Sequence, residues 1–201
     1  FTAVFLSKVA NKKVKAVVGA AVNLLAGIPS VVYGLVGMLV LVPGIRILFN
    51  LPDGASLLAS IIVLAVMILP SIIKMSMTAL DAVPREYEEG SLALGATTTE
   101  TYFKVSVPAA KSGIAAAVVL GVGRAIGETM AVIMVAGNVA NMPTLFGSVR
   151  FLTTAVASEM SYSSPGSLQR NALFSIALVL FLFIMLINAT LNFLLKRDKE
   201  K

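Results

Sequence analysis

Residues 16–45 read AVVGAAVNLLAGIPSVVYGLVGMLVLVPGI, with no charged side chain between Lys15 and Arg46. A helix of about 20 apolar residues crosses the hydrocarbon of a bilayer. This run is therefore long enough to cross, and the charge-free composition predicts that it does. It also holds Gly27, Pro29, Gly34 and Gly37. Pro29 lacks the N–H of a helical hydrogen bond, so a kink or break is predicted there, next to Gly27.

Working outward, the same pattern repeats. Residues 56–73 form a second apolar run, followed by Lys74, and residues 171–195 form an uncharged run near the end. Residues 112–136 form another, interrupted by Arg124 and Glu128. These readings predict an all-α, polytopic transmembrane bundle of four complete spans. The opening Phe1-Thr2-Ala3-Val4-Phe5-Leu6 reads as the stub of one more helix, in a chain truncated at its N-terminus. Residues 1–201 are expected to form a single membrane domain.

Composition agrees. Of 201 residues, 58% are hydrophobic and 13% charged, and the mean hydropathy is +0.93, too little charge for the surface of a soluble domain of this size. The net charge of +6 does not point to nucleic acid, because the cations gather at the ends of the apolar runs. No Cys or His is present, which excludes disulfides, thiol nucleophiles, Cys/His metal sites and histidine acid–base chemistry. No cofactor and no catalytic residues are expected.

Lys and Arg near span ends set orientation. Lys8, Lys12, Lys13 and Lys15 form one basic cluster, and Lys196, Arg197, Lys199 and Lys201 another. The stretch around Asp53 has only Arg46, and residues 137–170 carry Arg150 and Arg170. Both basic ends, and with them residues 81–111, are expected on the cytoplasmic side of the cell (inner) membrane.

Residues 81–111 are the exception to the apolar pattern, with Asp81, Arg85, Glu86, Glu88, Glu89, Glu100, Lys104 and Lys111. Leu92, Ala96 and Phe103 fall near one helical face, so short amphipathic helices outside the bilayer are predicted. Within them, Glu89-Gly90-Ser91 is followed after three residues by Gly95, and after nine more by Val105-Ser106-Val107-Pro108. Gly95 would let the backbone turn between two helices. Pro108 would open the next span, where its missing N–H costs nothing. The glycine spacing from Gly90 to Gly95 approaches that of a phosphate-binding loop, but Ala96 stands where the lysine is required, so no ATP hydrolysis is expected from this chain.

A second polar feature is Gly121-Val-Gly123-Arg124-Ala-Ile-Gly127-Glu128-Thr129-Met130. Arg124 and Glu128 are four residues apart and would share one helix face. Charges within spans usually face a bundle interior or a water-filled path. An Arg suits an oxyanion because its guanidinium donates two parallel hydrogen bonds. A purely structural pair is the competing reading. Gly123 and Gly127 would allow close helix packing.

The 89–108 pattern resembles the EAA loop of ABC importer permeases: Glu-Ala-Ala, three residues, Gly, nine residues, Ile-x-Leu-Pro. Gly90 and Ser91 take the places of its alanines, and Val105 and Val107 those of its Ile and Leu. Together with residues 26–34 and 124–138, the wording resembles the C-type permease subunit of the phosphate-specific ABC importer. That resemblance implies inorganic phosphate as cargo and Glu89, Gly95 and Pro108 as the coupling region. It also implies three partners: a second permease subunit, a cytoplasmic ATPase dimer and an extracytoplasmic phosphate-binding protein. Permeases for other oxyanions, such as sulfate or molybdate, and ion-coupled secondary transporters are the alternative readings.

The charge asymmetry makes a direct prediction. Single cysteines replacing Lys12 and Lys199 should resist an impermeant thiol reagent in intact cells, and Asn141→Cys should react. Labelling at position 12 or 199 would reverse the assigned orientation.

Overall fold

The computed structural model describes residues 1–199, with side chains described through Thr190; Glu200 and Lys201 of the basic tail lie outside the described residues. In chain order the helices are α1 (Thr2–Val4), α2 (Lys12–Gly27), α3 (Ser30–Val36), α4 (Val42–Leu48), α5 (Leu57–Asp81), α6 (Arg85–Ala93), α7 (Thr98–Thr101), α8 (Val107–Ala109), α9 (Lys111–Gly127), α10 (Met130–Val135), α11 (Leu152–Glu159) and α12 (Leu168–Lys199). Three wide π turns continue the helices at Phe5–Val9, Gly37–Leu41 and Tyr102–Ser106. An isolated bridge joins Gly137 and Val149.

Among the described residues, three helical stretches are long and apolar enough to cross a membrane: Ser30–Leu48, Leu57–Asp81 and Leu168–Thr190. A fourth is possible only if Thr98–Ala109 and Lys111–Gly127, bent by 68°, form one broken crossing. The all-α expectation holds, with several boundaries moved. The first apolar run is cut at Ile28–Pro29, where Pro29 is extended (ψ 144°) and precedes α3. Only its second half, Ser30–Leu48, has the length of a span. The second run does not stop at Ile73: α5 continues to Asp81, with Lys74 exposed along it. A lysine can lay its methylenes along an apolar helix and lift its ammonium to the interface, so it need not end one. The third run is split, because α9 stops at Gly127 and α10 begins at Met130.

Two π turns have a common cause. Proline removes its own N–H and its ring crowds the carbonyl four residues back. For Pro43 and Pro108 those carbonyls belong to Leu39 and Lys104, which lie inside the π turns Gly37–Leu41 and Tyr102–Ser106. Widening the turn relieves the crowding and lets the helix continue through the proline. Pro108 thus sits within a helical run rather than at the start of a span.

The chain forms two compact units. One comprises Phe1–Gly27 and Ile68–Val122 with the last turns of α12; the other comprises Ile28–Met67 and Gly123–Ala189. In the first, Ala3 and Val4 pack with Leu80, Val83 and Ala110. In the second, α3 and the π turn after it lie against α10. A Cβ on Gly34 would sit 2.8 Å from the Ala131 Cα, and one on Gly37 would sit 2.7 Å from Val63 Cγ2. Among the described residues, a Cβ on Gly127 meets nothing within 4 Å, and one on Gly123 meets only Asn188 Oδ1 at 3.9 Å.

The 137–170 connection is structured. The Ser56, Leu57 and Leu58 N–H groups at the start of α5 donate to the carbonyls of Val135, Gly147 and Leu145. Ser148 Oγ donates to the Ala55 carbonyl at 3.0 Å. The three N–H bonds satisfy helix-start donors that no intrahelical carbonyl can reach.

The close approach at Gly34 is testable. Gly34→Val should destabilise the detergent-solubilised protein by about 1–3 kcal/mol or more, since the contact is backbone and cannot swing away. Gly44→Ala, where a Cβ meets nothing within 4 Å, should be neutral or mildly stabilising. Thermal unfolding of the two variants side by side checks the contrast.

Candidate functional site

Two regions carry the polar groups. The first is the helix–turn–helix of residues 85–109. Pro84 precedes α6, and Glu86 and Glu88 in its first turn suit the positive end of the helix. The helix ends through a pair of backbone bonds: Gly95 N–H donates to the Leu92 carbonyl at 2.9 Å, and Ala96 N–H to the Ser91 carbonyl at 3.2 Å. That closure needs a left-handed residue, and Gly95 has φ +87°. Two residues later a capping box opens the next helix. Thr97 Oγ1 accepts from Glu100 N–H at 3.3 Å, and Glu100 Oε2 accepts from Thr97 N–H at 3.1 Å. The Lys104 ammonium, 3.0 Å from Glu100 Oε1, and the Thr97 N–H hold the Glu100 carboxyl down at about 2. Gly95 therefore turns the chain as its sequence position required.

Glu89, in the matched position of the motif, is exposed. Its neighbour Glu88 is the residue turned inward. Glu88 Oε1 lies 2.6 Å from Lys8 Nζ and accepts from Ser106 Oγ at 2.8 Å. Burial raises the Glu88 pKa, but hydrogen bonds from Lys8 and Ser106 and the charges of Lys8 and Arg85 outweigh it and leave the carboxyl below its ordinary value. One turn on, Ser91 Oγ is 3.0 Å from Thr101 Oγ1. Sequence reasoning missed this inner face. Its signal was the pairing of two polar positions three apart on α6, Glu88 and Ser91, with Thr101 and Ser106 on the facing helical run. On the outer side Tyr87, Leu92, Leu94 and Phe103 are exposed, Leu94 by 91%.

The second region is the break between α9 and α10. Arg124 is in the last turn of α9, with its side chain exposed. Glu128 does not continue that helix face, because α9 ends at Gly127. It lies half-buried in the break. Its Oε1 accepts from the Ala131 N–H at 3.2 Å, capping α10, and its carbonyl accepts from Thr153 Oγ1 at 3.1 Å. Thr129 Oγ1 donates to the Gly127 carbonyl at 3.3 Å. Helix, break and helix thus carry one cation, one anion and several non-helical backbone groups within a few residues of an otherwise apolar stretch.

A family model described as "Binding-protein-dependent transport system inner membrane component" matches residues 1–198. The chain belongs to this family. It is therefore an inner-membrane transport component, and its three long apolar helices are suited to that setting. Among relatives, it is 46% identical over 190 residues to a probable ABC transporter permease protein, YqgH, of Bacillus subtilis, covering 92% of this chain and 62% of that protein. It is 35% identical over 215 residues to the phosphate transport system permease protein PstC of Mesorhizobium japonicum, covering 97% of this chain and 65% of that one. The chain thus spans under two thirds of the length of these relatives. A chain from an inward-facing structure of the MetNI methionine ABC transporter superposes with a TM-score of 0.75 at 23% identity, covering 98% of this chain and 84% of that chain. That likeness establishes the fold.

Strain at the Gly95 turn yields a prediction. A Cβ there meets nothing within 4 Å, so a substitution costs only the left-handed backbone, about 1–2 kcal/mol. Gly95→Leu should open the turn and speed tryptic cleavage at Arg85 and Lys104. Gly95→Asn, better tolerated at positive φ, should stay nearer to the parent. Equal cleavage rates in all three proteins would show that the turn does not depend on glycine.

Proposed function

We propose that this chain is the membrane-spanning part of a permease subunit that imports inorganic phosphate at the expense of ATP hydrolysed elsewhere. The observation that carries the reading is the break at Glu128–Thr129, with Arg124 one turn before it. Irregular backbone and charge are tolerated at membrane depth where they line a cavity or path. The phosphate transport named for the C-type relatives supports the cargo. The 89–108 register, folded as two short helices about Gly95, supports coupling to a separate ATPase through Glu89, Gly95 and Pro108. No phosphate-binding loop is complete in the sequence, so the chain acts as a transport subunit and not as the ATPase. Its proposed partners are a second permease subunit, a cytoplasmic ATPase dimer and an extracytoplasmic phosphate-binding protein, and residues 1–201 act as one permease domain.

In this reading Arg124 presents a guanidinium to the passing oxyanion. Glu128 has a structural duty as the cap of α10, and its charge keeps the anion from resting too tightly beside Arg124. A transport path requires weak, leavable contacts.

The test is radiolabelled phosphate uptake into vesicles, with and without ATP, alongside complex yield. Arg124→Gln should lower uptake by about tenfold or more with assembly retained, the loss of a charged hydrogen-bond donor. Arg124→Lys should recover only part, lacking the planar two-pronged donor. Glu128→Gln keeps an oxygen to cap α10 and should assemble. Normal uptake in Arg124→Gln, or uptake restored by combining it with Glu128→Gln, would defeat the anion-contact role. ATP-independent uptake would defeat the importer reading itself.

A further inference from the structure

We infer that Lys8 and Glu88 form a strut that passes displacement of α6 to the rest of its unit, making both positioning residues for coupling. This rests on the reading of the chain as an ATP-driven permease, and goes beyond it by naming the internal link.

The argument begins with burial. The side chains of Lys8 and Glu88 are 12% and 19% exposed, and their charged atoms are 2.6 Å apart. Two charges so far removed from water cannot separate cheaply, because either alone would be left poorly solvated. Ser106, fully buried, adds a second bond to the same Glu88 oxygen and fixes its direction. Leu6, on the same π turn as Lys8, is fully buried. Ala3 and Val4 just before it pack on Leu80 and Val83. The cation is therefore mounted on a packed base.

Sequence adjacency makes the pair more than a local brace. Ser7, next to Lys8, donates to Asp81 Oδ1, and Lys15 from α2 lies 3.5 Å from Asp81 Oδ2. Asp81 is the last residue of α5 and Glu88 is on α6. Ser7 and Lys8 thus hold the end of one long apolar helix and the middle of the helix–turn–helix at a single node. Pro84 and Gly95 bound α6 and its turn, and its outward side chains Tyr87, Leu92 and Leu94 are exposed. A force applied to that outer face reaches α5 and α2 through Glu88, Lys8, Ser7 and Asp81.

The experiment uses the full-length permease reconstituted with its partners in proteoliposomes, and reads phosphate taken up per ATP hydrolysed. Glu88→Gln keeps an acceptor for Ser106 and removes the charge. It should lower that ratio roughly fivefold or more, the lower range of site-to-site coupling, with ATP hydrolysis and complex yield maintained. The chain contains no cysteine. A Lys8→Cys, Glu88→Cys variant can therefore be bridged by a short bis-methanethiosulfonate and released by reductant in the same preparation. The ratio should be high when bridged and fall on release. An unchanged ratio in Glu88→Gln, or one equal before and after release, would overturn the strut. Should Glu88→Gln fail to assemble, the bridged preparation decides. Absence of ATP-dependent phosphate uptake in the parent complex would instead overturn the importer reading, and is seen before any variant is compared.

Discussion

Inside a bilayer no water is available to satisfy a peptide group, so each N–H and C=O must find a partner in protein. The architecture follows from that constraint. Where the helices run unbroken the demand is met within the segment. Where they break, side chains and neighbouring carbonyls take over. At the Glu128 break the carboxylate caps α10 and Thr129 bonds back to Gly127. At the start of α5 three N–H groups are met by carbonyls of residues 135–147. After α10, Asn138, in a left-handed conformation, returns its amide to the Ile133 carbonyl at 2.7 Å. Polar residues in the spans are explained first by this demand, and transport is built on what it permits.

The helical class and the separation into apolar runs were legible because charge is so costly in hydrocarbon that its absence marks a crossing. The Gly95 turn was legible for a related reason: a left-handed residue at a helix end strongly favours glycine. Boundaries were less so. Lys74 resembles a terminator on a linear reading, yet a long flexible cation can ride along a helix, and α5 passes it to reach Asp81. The split of the first run at Pro29 was foreseen as a kink or break. The π turns before Pro43 and Pro108 were not, because whether a helix stops or widens at proline depends on its neighbours.

Within residues 85–109, the turn was legible but the inward-facing carboxylate was not. The motif directs attention to Glu89, which is exposed, while Glu88 makes the buried contacts. Consecutive helical residues point some 100° apart, and the partner that selects between them, Lys8, is far away in the sequence. Likewise, four-residue spacing puts Arg124 and Glu128 on one face of a continuous helix, and α9 ends at Gly127, so the backbone between them is not helical throughout. The glycines at tight contacts, Gly34 against the Ala131 backbone and Gly37 against the Val63 and Val135 side chains, become distinguishable from the other glycines of the spans only when the facing helices are in place.

The turn at Gly95 separates shape from surface. Its geometry comes from two backbone bonds and one reciprocal Thr97–Glu100 pair, none of which uses the side chains of Leu92, Leu94 or Tyr87. Those outward side chains can be exchanged without altering the angle at which the two short helices are presented. A connector with a fixed frame and a replaceable face allows related chains to keep one mechanical fitting while each is keyed to its own counterpart.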